Sequence, residues 1–451
     1  MRSRLLMISA DTHAGPDPAD YSAWLDPAYR DGAKDLIRYS NDLQKLVWVA
    51  DPDEAASKVV DTRGALAREG WRGLWDPARR LAELEAEGFV GEVIFPGDVH
   101  TVGMYFSNMN KKCSAELRAA GVSAYNRWLA EFCGYAPQRM KGVVQVEPWP
   151  DLQACVDQVR WAAKQGFSII ALPRYPGMAA NQPPLTSPLW EPFWRVCAES
   201  GMVLSSHIGH LRAQMSSLAR MKTANLTVTG FPDEGADGQI PYDPGRRPLW
   251  QMILAGVFDR YPNLKLTFTE LRTEWVGPTL AHLERRLDAL DFAGRGGVKP
   301  KLRPTEYWRR NCAIAGQLRP FEVEHREQIG VDNLMFGNDY PHAEASWPNT
   351  REWLQIAMRG VPESEVRKIL GENAARVYGF DLAALTPHAD RVGLSIDDIL
   401  GRHSVSDGLV RNLDWRAAFL SRHSRYDAAP IDELLDKDER AAGRRRQLSG
   451  V

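Results

Sequence analysis

Long apolar runs are missing from this chain of 451 residues. No stretch approaches the about 18 uncharged apolar residues that a membrane-spanning helix requires. The apolar run before Asp11 is too brief for the core of a signal peptide, so a soluble, cytoplasmic protein is expected. Cysteine is scarce. Cys113, Cys133, Cys155, Cys197 and Cys312 are odd in number, scattered, and without CxxC or zinc-finger spacing. That excludes a thiolate metal site and a disulfide framework, and points to reduced core thiols. An excess of positive charge is missing as well. The 56 Lys and Arg against 58 Asp and Glu leave a net charge of −2. Nucleic acid is therefore not an expected partner, and the one basic cluster, Arg444 to Arg446, lies in a polar tail. No glycine-rich phosphate loop follows any apolar run, which counts against a doubly wound nucleotide-binding sheet.

What is present is a full core: 44% of residues are apolar and 25% charged, the balance of a globular protein. Eight short apolar runs punctuate the chain: Leu5–Ser9, Glu92–Pro96, Lys141–Val146, Ser168–Leu172, Met202–Ser206, Leu264–Thr269, Asn311–Ala315 and Asn333–Gly337. Runs of this length, bounded by turn residues, suit strands buried on both faces of a parallel sheet. Amphipathic segments lie between most of them, at Pro77–Glu87, Ser114–Cys133, Leu152–Gln165, Leu189–Ser200 and Pro278–Asp291. Eight strands alternating with helices predict an α/β protein with a (β/α)8 TIM barrel over residues 1–380. Two connections, 14–76 and 208–250, exceed what a barrel needs and follow strands one and five, where they would cap a pocket. Residues 381–451 read as a helical, increasingly charged extension, packing on the barrel or on a second copy of the chain in a homodimer.

The stretch LMISADTHAGP (6–16) ends an apolar run on Asp11 and His13. Side chains two apart on a strand share a face, so the pair is expected to aim at one point past the strand end. Strand five ends MVLSSHIGH, with His207 and His210. Strand six ends LTFTELRTEW, with Glu270, and strand eight ends LMFGNDYPHAEASWP, with Asp339 and then His342. Each has an ordinary structural reading alone, as a loop histidine, a helix cap or a turn residue. Jointly they put metal-type groups at the ends of strands one, five, six and eight, where barrel sites converge. The expected ligands are Asp11, His13, His207, Glu270 and Asp339. Three carboxylates with two imidazoles suit zinc, iron or manganese, as one ion or two with a bridging carboxylate, and the oxygen-rich balance favours iron or manganese. Such an ion lowers the pKa of bound water from about 15.7 to about 7. Asp339 is the candidate proton shuttle, His210 and His342 are candidate acids or braces, and Arg174 is a candidate anchor for a substrate carboxylate or phosphate.

Longer segments carry a family resemblance. DPARRLAELEAEGFVGEVIFP (76–96), YNRWLAEFCGYAPQRMKGVVQVEP (125–148), PLWQMILAGVFDRYPNLKLTFTELRTEWV (248–276), LMFGNDYPH (334–342) and KILGENAARVYGF (368–380) occur in order. With these the chain resembles the amidohydrolase superfamily, in the branch that includes aminocarboxymuconate semialdehyde decarboxylase. The resemblance implies the metal-dependent barrel, with the family's ligands falling on Asp11, His13, His207 and Asp339. Two positions depart from it: Asp11 stands where many relatives have histidine, and so does Glu270. Both changes replace nitrogen by an oxygen able to bridge, which favours a di-iron centre over a single zinc. No lysine ends strand four, so the carbamylated-lysine bridge of other members is not implied.

The carboxylate-rich set is similar to that of di-iron hydrolases of coenzyme A thioesters in bacterial diterpenoid antibiotic biosynthesis. The expected function is accordingly hydrolysis of an acyl bond by a metal-bound hydroxide, with a bulky acyl-CoA thioester favoured over an amide or ester. Arg212, Arg220, Lys222, Arg246 and Arg247 would meet the carrier's phosphates unless they are simply solvated. Non-oxidative decarboxylation of a carboxylated ring is the alternative chemistry of this branch.

Overall fold

The computed structural model describes residues 4–17, 20–31, 72–97, 114–148, 151–173, 183–207, 242–292, 300–342, 344–422, 435 and 438–440. Most of the two insertions, 14–76 and 208–250, lies outside these residues, as do Cys113, Arg174, His210 and the Arg444 to Arg446 cluster.

All eight predicted runs are strands: β1 (Met7–Ala14), β2 (Phe89–Pro96), β3 (Met140–Val144), β4 (Ile169–Ala171), β5 (Val203–His207), β6 (Lys265–Thr269), β7 (Cys312–Gly316) and β8 (Leu334–Phe336). They form one parallel sheet in chain order. The sheet closes on itself just past β8, where Asp339 N–H donates to the Asp11 carbonyl (2.9 Å) and His13 N–H to that of Tyr340 (2.7 Å). The fold is a (β/α)8 TIM barrel. Helices start where the sequence supplies caps: the Asp76 carboxylate, the Ser114 hydroxyl and the Asp151 carboxylate accept from first-turn N–H groups of helices Pro77–Ala86, Ala115–Gly134 and Leu152–Lys164. Each such cap contributes on the order of 1 kcal/mol.

Alternation along the strands sorts their side chains between two cores. Ile8, Val93, Val143, Ile169, Val203, Ala313 and Met335 fill the barrel interior. Met7, Val144, Ile170, Leu204, Leu266, Ile314 and Leu334 join the larger cluster under the helices. Both faces are buried, which is why each strand reads as a short apolar run and not as an alternating one. Tyr378, Phe380, Leu385 and Ala389 enter the interior cluster with residues from the strand starts, closing the barrel at the end away from the loops.

The described residues that follow Phe380 pack on the barrel. Helices Leu382–Val392, Ile396–Leu400 and Asp407–Ala417 follow, and Leu394, Ile396, Ile399, Leu413 and Phe419 belong to the same apolar cluster as the barrel helices. Phe419 lies 4.3 Å from Trp353, centroid to centroid. The thiols of Cys133, Cys155, Cys197 and Cys312 are free and buried, and burial pushes each pKa up. Among the described residues no helix is long and apolar enough to cross a membrane. Because Leu413 is fully buried, Leu413→Ala is expected to lower the unfolding free energy in urea by about 2–5 kcal/mol. A change below about 0.5 kcal/mol would mean the extension does not unfold with the barrel.

Candidate metal centre

β1 is longer than its apolar run, so Asp11 and His13 lie within the strand and not beyond it. Their shared direction comes from a bulge. The register against β2 runs Ser9 to Glu92 and then Thr12 to Ile94, so β1 carries one extra residue between these points. Ile8 and Ala10 face the interior. After the extra residue the parity flips. Asp11 and His13 turn into the barrel, while Thr12 meets Glu92 (2.7 Å) behind the wall and Ala14 packs in the outer cluster.

His207 ends β5 in the inward register of Val203 and Ser205. Glu270 follows Thr269 of β6 and by alternation would point outward, but its backbone takes a left-handed conformation with φ 58°. Asp339, beyond β8, has φ 58° as well. Non-glycine residues held in this region cost roughly 1–3 kcal/mol each and cluster where geometry serves function. Between β8 and Asp339 the backbone passes so close to β1 that a Cβ on Gly337 would lie 2.4 Å from the Asp11 Cβ.

These devices bring the side chains together. His13 Nε2 is 3.2 Å from Asp339 Oδ1 and 3.5 Å from Asp11 Oδ1. His207 Nε2 is 3.4 Å from Asp11 Oδ1 and 3.6 Å from Glu270 Oε2. His342 Nδ1 sits 3.0 Å from Asp339 Oδ1, and its ring stacks on His13 at 4.0 Å. Ligand-type atoms of Asp11, His13, His207 and Glu270 all lie within 4.8 Å of one another, and so do those of His13, Glu270, Asp339 and His342. Gln317, past β7, donates to Asp339 Oδ2 (2.8 Å) and leaves Oδ1 for the cluster. Phe95 packs beside His207 at 4.6 Å.

The proton inventory is unusual. His13 Nδ1 lies 2.8 Å from the Pro96 carbonyl, which can only accept, so this nitrogen carries the proton and Nε2 presents a lone pair. Burial, then the nearby His342, holds His13 below its usual pKa, in the neutral form. Burial pushes the Asp11 carboxyl up to about 8, and the Asp339 charge adds to it. Glu270 is raised well above the carboxylate range by burial, Asp339 and Asp11. For Asp339 burial acts upward too, but His342 and His13 outweigh it and hold it below the usual range. Asp339 in turn drives His342 well above its usual value, against burial. Without a metal, positive charge thus enters the cluster as protons. Asp11 Oδ2, His13 Nε2 and His342 Nε2 remain buried without a hydrogen bond. Converging oxygen and nitrogen atoms, buried and in part without hydrogen-bond partners, fit a hard-to-borderline divalent ion with imidazole and carboxylate ligands.

The five expected ligands are therefore together, and His342 joins them. His210 and Arg174 fall outside the described residues. Arg247 does not meet the role considered for it: it is buried and forked onto Asp438 (2.6 and 2.7 Å), which also accepts from Trp250 and Gln251. Sequence reasoning passed over Gln317, which carries no signal of its own. It also passed over Thr12, Glu92 and Arg80, where a signal existed: a glutamate inside a buried strand demands a partner.

A sequence profile of the amidohydrolase family matches residues 10–380. No curated protein matches the chain. Among solved structures, 5-carboxyvanillate decarboxylase from Sphingomonas paucimobilis is 21% identical, covering 84% of this chain and 100% of its own, with a TM-score of 0.56. An amidohydrolase from Mycobacterium avium subsp. paratuberculosis K-10 is 19% identical, covering 84% and 100%, with a TM-score of 0.59. A 5-carboxyvanillate decarboxylase from Novosphingobium aromaticivorans DSM 12444, complexed with manganese and 4-hydroxy-3-methoxy-5-nitrobenzoic acid, is 18% identical, covering 83% and 96%, with a TM-score of 0.57.

Because the folded protein keeps the Asp11 proton up to about pH 8, against an ordinary value of 3.8, it binds more protons than the unfolded chain between those limits. The contribution of Asp11 to the stability of the metal-free protein therefore falls as pH rises through that window. Asp11→Asn is expected to flatten the decline between about pH 5 and 8 in metal-free urea titrations. An unchanged slope would contradict this reading of the cluster.

Proposed function

The chain belongs to the amidohydrolase family, and on that premise we propose that it is a metal-dependent enzyme that removes carbon dioxide from a carboxylated ring without redox change. The observation that carries the proposal is the buried convergence of Asp11, His13, His207, Glu270 and Asp339, with lone pairs left unsatisfied. These residues would hold one divalent ion or two, of manganese or iron. Such an ion, when bound, supplies positive charge that anchors an anionic substrate and stabilises negative charge developing on it. Support for decarboxylation comes from the structural company: the two 5-carboxyvanillate decarboxylases share the fold over 83–84% of this chain, and one is complexed with manganese.

The chain's own residues supply the rest. Loss of carbon dioxide from a ring carboxylate leaves an electron pair on carbon that must receive a proton. Among the described residues His342 is the donor candidate at the cluster's edge: its Nδ1 lies 3.0 Å from Asp339 Oδ1, and its Nε2 makes no hydrogen bond within the described residues. Gln317 fixes Asp339 so that the pair keeps its orientation. Phe95, fully buried, gives the wall beside His207 an apolar face.

One observation favours a second reading, hydrolysis of an acyl-CoA thioester by a two-iron form. Three carboxylates and two overlapping four-residue groups offer more oxygen than one ion needs. The carrier's phosphates would then have to be met outside Arg247, which is occupied.

Protein purified without chelators, analysed for metal and assayed in parallel with 5-carboxyvanillate, 2,6-dihydroxybenzoate and an aromatic acyl-CoA, separates the two. Carbon dioxide release without free thiol is expected, abolished by a chelator, and lowered about 100-fold or more by His207→Ala together with metal content. Free thiol without carbon dioxide would replace decarboxylation by hydrolysis.

A further inference from the structure

The bulge in β1 aims Asp11 and His13, but a bulge alone does not hold a register. Behind the barrel wall three fully buried residues meet it. Thr12, the first residue paired with β2 after the bulge, places its hydroxyl 2.7 Å from Glu92 Oε2 and 2.8 Å from the Val93 carbonyl, both on β2. Glu92 is gripped from the other side by Arg80 of helix Pro77–Ala86, through Nε (2.8 and 3.0 Å) and Nη2 (2.7 Å). The remaining arm of that guanidinium, Nη1, donates to the His13 carbonyl at 2.7 Å. Arg80 Cζ also lies 5.2 Å from the centre of the Tyr340 ring, next to Asp339. Thr12, Glu92 and Arg80 each have 0% exposure.

We propose that Thr12, Glu92 and Arg80 are positioning residues for the metal: they lock β1 one residue out of simple register, so that Asp11 and His13 face the ion. The clamp grips both sides of His13, at the hydroxyl before it and at its own carbonyl, and touches no ligand side chain. A slip of one residue would send Asp11 and His13 to the helix side and Thr12 inward. Groups hydrogen-bonded to a metal-ligating residue change metal affinity by roughly 10–100-fold when lost, and Arg80 is bonded to His13 through the backbone carbonyl. The inference rests on the metal reading above but not on which reaction the ion serves.

The test compares Thr12→Val, which keeps the shape and deletes the hydroxyl, with Thr12→Ser, which restores it. Mn2+ affinity is measured by competition with a fluorescent chelator, beside the melting temperature of each metal-free protein. Thr12→Val is expected to bind Mn2+ at least about 10-fold more weakly while still melting cooperatively, and Thr12→Ser to recover affinity to within a few-fold. Thr12→Ala stands in if Thr12→Val does not fold. Equal affinity in wild type and Thr12→Val overturns the inference and leaves the metal centre intact. Failure of both Thr12→Val and Thr12→Ala to fold also overturns it, since the hydroxyl would then serve the fold as a whole. A wild type that binds no Mn2+, Fe2+ or Zn2+ fails the metal reading itself.

Discussion

Lone pairs without protons govern the centre of this barrel. Two imidazole nitrogens and three carboxylates converge on one largely buried point, and the Pro96 carbonyl obliges His13 to present its unprotonated nitrogen there. The His13 Nε2 lone pair faces carboxylate oxygens of Asp339 and Asp11 at 3.2 and 3.5 Å, which repels unless positive charge lies between them, and burial raises the cost of every uncompensated charge. Protons meet the demand in part, which is why Asp11, Glu270 and His342 all hold them more tightly than usual. A divalent cation meets it more completely, replacing several protons at once and satisfying the atoms that have no hydrogen bond. Metal binding at such a centre releases protons.

The scaffold spends considerable local irregularity on this one demand. A regular barrel would deliver only inward-register residues to its mouth. Here β1 gains an extra residue to turn Asp11 inward, Glu270 and Asp339 adopt left-handed backbone, and Gly337 gives up a side chain so that two strands can meet. Each departure is unfavourable taken alone. They persist because the surrounding structure over-determines them: the eight-stranded wall, the Arg80–Glu92 pair behind it, and the hydrogen bonds that close β1 against the chain after β8.

The same irregularity explains what could be read from the chain alone. Strands buried on both faces leave an apolar run whatever their neighbours, so all eight were visible. The metal-type groups at strand ends were visible only jointly: each alone has an ordinary reading, but four strand ends that carry them converge on one point in a barrel. The β1 bulge was not: with both faces apolar, a parity change between Ala10 and Asp11 leaves no trace in the pattern. Nor was the left-handed turn at Glu270, since no glycine or asparagine marks it. Gln317 acts by one hydrogen bond from an ordinary loop position. Arg247 looked like a loop cation and proved to be the anchor of Asp438, a contact of 191 residues' separation that no local reading reaches.

Family membership, the barrel and the cluster converge on an enzyme of the amidohydrolase family, and the two proposed reactions, one needing a proton delivered to carbon and the other a water activated for attack, both call for a cation at this centre. Both stand or fall with the ion's position. Crystals soaked in Mn2+ and measured at a wavelength where manganese scatters anomalously locate it directly. A peak at about 2.0–2.2 Å from His13 Nε2 and His207 Nε2, with carboxylate oxygens of Asp11 and Glu270 or Asp339 at similar range, is expected. No peak in this cavity at saturating Mn2+, or a peak held by other residues, would contradict it.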